Sequence, residues 1–170
     1  MSKRMRQYLG ILAAAAMYLL IHEGAHALMA ISYGAFKEIR FLGLGMQIDV
    51  YAERMSEIQM GLFCLSGAVA TLLTGWLLVL CAKRICRSQS KLILSVLWYC
   101  SLAMLLLDPL YLSVLCGFFG GGDLNGISLL APEPAVRLSF GVLGAVHGVV
   151  VWNYLLKVYT KAFENLEDET

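Results

Sequence analysis

Four long apolar stretches constrain this chain more than any other feature. From Gln7 to Tyr33 the only formal charge is Glu23, and from Ile58 to Ala82 there is none. From Leu92 to Gly122 the only charge is Asp108, and from Leu138 to Leu156 there is again none. A helix rises about 1.5 Å per residue and the hydrocarbon of a bilayer is about 30 Å thick, so each stretch is of a length to cross it. The chain has 170 residues, of which 59% are hydrophobic and 15% charged, and its mean hydropathy is +0.73. These values describe a small polytopic membrane protein and not an ordinary soluble domain.

The expected fold is mainly α, with about four transmembrane helices in a single unit, residues 1–170. No repeat or linker suggests a second domain. Lys3, Arg4 and Arg6 precede the first stretch in the manner of a signal peptide, but its length and the charged residue inside it predict a retained span. Tyr33-Gly34 ends the first helix. Phe36 to Tyr51 then alternates loosely through Phe36, Ile39, Phe41, Leu44, Met46, Ile48 and Val50, with Gly43 and Gly45 between them, which predicts a short re-entrant β-hairpin.

A second helix is expected after Glu57, ending at the basic stretch Lys83 to Arg87. The third hydrophobic segment reads as broken, first by a kink or break at Asp108-Pro109 and again at Gly117 to Gly122. Pro132 and Pro134 mark a loop before a last span from about Val136 to Tyr159, and Glu164 to Thr170 reads as a frayed acidic tail. The five cysteines lack the paired spacing of a metal site and read as small packing residues.

Within the first stretch lies His22-Glu23-Gly24-Ala25-His26, the H-E-x-x-H pattern. Residues four apart on a helix share a face, so two imidazoles can address one cation. Neutral imidazole suits zinc, and two histidines with a carboxylate leave a fourth tetrahedral position for water. Glu23 would then serve as the base that takes a proton from that water. Ionisable residues are costly inside a membrane span, which favours a functional reading of this cluster.

The third ligand must come from elsewhere, and the intramembrane candidates are Asp108 and Asp123. Depth along its own segment slightly favours Asp108. Asp123 follows Gly120-Gly121-Gly122, where the backbone is free to turn a carboxylate toward a metal. His147, alone between Val146 and Gly148, reads as a hydrogen-bonded packing residue.

The two motifs together resemble the site-2 protease family of intramembrane zinc metalloproteases. The likeness rests on His22-Glu23-Gly24-Ala25-His26 and on Gly122-Asp123-Leu124-Asn125-Gly126. A weaker likeness is Ser66-Gly67-Ala68-Val69-Ala70-Thr71, similar to the family's A-G-P-x-x-N stretch in its glycine but not in its proline or asparagine. The resemblance implies His22, His26 and Asp123 as zinc ligands, Glu23 as catalytic base, and Asp108 as an alternative ligand or a residue that orients one. No PDZ or CBS domain is present, so the likeness is to a minimal catalytic core.

The implied activity is zinc-dependent cleavage of a peptide bond in or near a transmembrane segment of a membrane protein or membrane peptide. The Phe36 to Tyr51 ribbon could bind such a segment as an added strand. The alternative is a non-catalytic protein that binds or senses zinc in the membrane. The expected setting is the lipid bilayer, as a multi-pass protein of a bacterial plasma membrane. A net charge of +1 gives no reason to invoke nucleic acid. Lysine and arginine concentrate at the N-terminus, in the Lys83 to Lys91 loop and near Lys157 and Lys161, which predicts cytoplasmic termini and a motif nearer the outer face. Relatives in the resembled family often have theirs toward the cytoplasm.

Overall fold

The computed structural model describes residues 1–43, 45–119 and 122–168. It is mostly helical, with a two-stranded antiparallel sheet after the first helix. Helix α1 spans Lys3–Ser32, capped by the Ser2 side chain, which accepts from Met5 N–H. It ends in a Schellman motif: Gly34 has φ +64°, Gly34 N–H donates to Ile31 O, and Ala35 N–H donates to Ala30 O. Strands β1 (Phe36–Leu42) and β2 (Gly45–Val50) form the expected hairpin. Gly43, at φ +62°, supplies the left-handed residue of its connection. Leu44 lies outside the described residues. Ile48 of β2 is buried in the same apolar cluster as Ala30 of α1.

Helix α2 (Glu57–Ile85) begins with a capping box between Ser56 and Gln59. Its buried face carries Gly61, Cys64, Gly67, Ala68, Thr71, Gly75 and Ala82, a stripe of small residues that lets backbones approach closely. Helix α3 (Lys91–Leu110) runs on through a π-helical turn (Tyr111–Leu115) into the short α4 (Cys116–Phe119). A short α5 (Gly122–Ile127) precedes α6 (Glu133–Val150), and a second π-helical turn joins α6 to α7 (Leu156–Asp168).

Four helices are long and apolar enough to cross a membrane: Lys3–Ser32, Glu57–Ile85, Lys91–Phe118 and Glu133–Leu166. Their outward faces carry Leu12, Leu20, Leu73, Leu80, Leu138 and Trp152, all exposed. A belt of this kind exceeds what a monomer in water ordinarily tolerates. Inside, one apolar cluster gathers around Ala30, Ile48, Phe63, Leu112 and Leu124 at the hairpin end. A second gathers around Val79, Leu94, Leu105, Leu155 and Tyr159 toward the chain termini.

Four expectations need correction. Pro109 does not end the third helix: it lies buried inside α3, and the departure from α geometry comes just after it, as the π-helical turn. Gly117 lies within α4, so the glycine run is helical at its start, and Gly120 and Gly121 lie outside the described residues. The acidic tail is helical through Asp168, because Tyr159, Ala162 and Leu166 turn an apolar face into the second cluster. Glu169 and Thr170 lie outside the described residues. Pro134 belongs to the first turn of α6, where a missing amide hydrogen leaves no helical bond unmade.

Candidate metal centre

The i, i+4 spacing of His22 and His26 puts both rings on the buried face of α1, with centroids 4.8 Å apart. Asp123, in the first turn of α5, meets them from the far end of the chain. Its Oδ2 lies 3.2 Å from His22 Nε2 and 3.6 Å from His26 Nε2. These three residues are the one group of metal-ligating side chains among the described residues whose donor atoms lie within 4.8 Å of one another.

The ring nitrogens can be assigned by their partners. His26 Nδ1 is 2.7 Å from Phe63 O. A carbonyl only accepts, so Nδ1 carries the hydrogen and the lone pair is on Nε2, the atom facing Asp123. His22 Nδ1 is buried without a well-aligned hydrogen bond, and its nearest acceptor is Asp108 Oδ1 at 3.3 Å. Asp108 is itself buried and held from two other helices. Tyr18 Oη donates to its Oδ1 at 2.6 Å, and Thr71 Oγ1 donates to its Oδ2. The two aspartates therefore take opposite sides of His22: Asp108 behind it at Nδ1, Asp123 in front at Nε2.

Glycine decides how closely the helices approach. A Cβ on Gly67 of α2 would lie 2.6 Å from both His22 Nε2 and His26 Nε2, so only glycine leaves room at the nitrogens. A Cβ on Gly126 would lie 2.2 Å from Cys64 Sγ, so α5 presses on α2 just beyond Asp123.

In front of the cluster lies a cavity of about 640 Å³, lined by Glu23, His26 and Asp123 together with β2 from Gly45 to Val50. Glu23 is half-buried at its wall. The donor set could hold a metal ion: Asp123 lies 3.2 and 3.6 Å from the two histidines, close to the roughly 3.3 Å between tetrahedral ligands of an ion such as zinc, and all three donor atoms lie within 4.8 Å of one another.

His22, His26 and Asp123 thus converge, Glu23 lines the adjoining cavity, and Asp108 stands behind His22. The sequence does not single out Tyr18, and it does not reveal that Thr71 serves Asp108. A signal for Tyr18 was present, since Tyr18, His22 and His26 form an i, i+4 polar stripe on an apolar helix, with Tyr18 and His22 rings stacked at 5.4 Å. Thr71 stands where the resembled A-G-P-x-x-N stretch has its asparagine, and here it serves Asp108. His147 is remote from the cluster, with both nitrogens hydrogen-bonded. Compared with known proteins, the chain matches no family model, no curated protein and no solved structure.

Proposed function

We propose that this chain is an intramembrane zinc endopeptidase of the site-2 protease kind, acting on a transmembrane segment of a membrane-bound substrate. The observation that supports it best is the convergence of two histidines and one carboxylate whose donor atoms lie within 4.8 Å of one another, among helices apolar enough to span a bilayer. His22, His26 and Asp123 would hold the zinc, which when bound would supply a Lewis acid and a water of lowered pKa.

The remaining work falls to the protein. Phe63 O fixes the tautomer of His26, and Asp108 orients His22 from behind. Glu23 takes the proton from the attacking water and returns it to the leaving amine. Glu23 and β2 line the same cavity, so the base stands beside the strand along which a substrate would lie. A substrate must be unwound before its carbonyl is accessible. An extended segment laid along β2 would present a peptide bond to the histidines.

The test is reconstitution of purified protein with a single-span model substrate. Cleavage should stop when zinc is chelated and return when zinc is restored, and His22→Ala should abolish both zinc content and cleavage. Stoichiometric zinc without cleavage of any membrane substrate would instead favour a zinc-binding or zinc-sensing protein.

A further inference from the structure

Pro109 creates a problem inside α3 that the last long helix resolves. Proline has no amide hydrogen, so the carbonyl four residues earlier, that of Leu105, loses its helical donor. His147 of α6 supplies one, with Nδ1 2.8 Å from Leu105 O. A carbonyl only accepts, so Nδ1 carries the hydrogen, and the lone pair on Nε2 accepts from Trp76 Nε1–H at 3.1 Å.

The packing around this turn is equally specific. A Cβ on Gly75, beside Trp76 in α2, would lie 2.8 Å from Leu105 Cδ2, and a Cβ on Gly144 of α6 would lie 3.1 Å from Pro109 Cβ. Two helices therefore close on the proline turn at glycines, with the fully buried His147 between them. Asp108 is bonded directly to Pro109, and its carboxylate stands 3.3 Å behind His22.

We propose that His147 is a positioning residue for the metal centre. By capping the carbonyl that Pro109 leaves open, it keeps α3 in line through that turn and so holds Asp108 against His22. This rests on the zinc reading above, although the cap itself does not. Its distinctive consequence is that His147 matters only because residue 109 is proline. With alanine there, the amide of residue 109 would serve Leu105 O, and the histidine would lose its task.

The experiment is a cycle of four proteins: the unsubstituted chain, His147→Leu, Pro109→Ala and the double variant. Each is measured for zinc affinity by chelator competition and for thermal stability in detergent. His147→Leu should weaken zinc binding about tenfold, the scale seen when a partner that orients a ligand is lost. The double variant should bind zinc as Pro109→Ala does. His147→Gln, whose amide can both donate and accept, should recover most of the affinity.

An equal penalty for His147→Leu in both backgrounds would overturn the proposal. So would coupling in stability with zinc affinity unchanged, since the cap would then serve the fold alone. If the unsubstituted chain binds no zinc, the metal reading fails, and the stability cycle still decides whether His147 caps Leu105.

Discussion

All three histidines of this chain are buried on helices, yet the hairpin-end pair and the lone His147 differ at one atom. His26 and His147 each direct Nδ1 to a backbone carbonyl, Phe63 O and Leu105 O. The distinction lies at Nε2. In His147 it accepts from an indole N–H and is satisfied. In His22 and His26 it faces a carboxylate oxygen. In His26, whose hydrogen is on Nδ1, a lone-pair nitrogen faces the Asp123 carboxylate with no hydrogen between them, so a cation is a natural partner there. What separates a candidate ligand from a packing histidine is thus the neighbour of its second nitrogen, and burial alone says little.

That contrast can be broken by removing ligands. Asp123→Ala or His26→Ala should reduce zinc from stoichiometric to background, as read by elemental analysis of purified protein, whereas His147→Leu should retain measurable zinc. A smaller loss is expected behind the histidines. Asp108→Asn should weaken zinc about 10–100-fold while leaving the site able to fill, and chelator competition would check it. If Asp108→Asn proves as severe as Asp123→Ala, the two aspartates have been assigned to the wrong sides of His22.

Gly67→Ala tests the close approach of α2. Its methyl would meet both Nε2 atoms, so we expect a loss of about 1–3 kcal/mol in stability from overpacking, together with weaker zinc binding. Unchanged values for both would mean that the histidine rings have room to spare. The smallest effect is expected at Trp76→Phe, which leaves His147 Nε2 without its donor. It should cost about 1 kcal/mol in a denaturation experiment with zinc content intact, which marks the difference between the two regions from the other side.

Much of this was legible from local pattern. The four apolar stretches and the H-E-x-x-H spacing are properties of short windows, and helix geometry turns them directly into spans and a shared face. The hairpin was legible from the alternation between Phe36 and Val50 and from Gly43, which stands where left-handed backbone is needed. What was not legible depends on partners distant in sequence. Nothing near Asp108 reveals that Tyr18 and Thr71 hold its carboxylate, and nothing near Pro109 reveals that His147 accommodates it. Proline reads as a break because its lost hydrogen bond is visible in the sequence, while the donor that replaces it lies on another helix.

Glu23 provides the most direct test of the central claim, because it lines the cavity beside the cluster without belonging to it. Glu23→Gln and the unsubstituted chain should be compared for zinc content and for cleavage of a reconstituted transmembrane substrate. We expect full zinc occupancy in both and a fall of about 10²–10⁴-fold in the cleavage rate of the variant, the usual contribution of a general base. Cleavage by Glu23→Gln at the rate of the unsubstituted chain would contradict a zinc peptidase working through this motif.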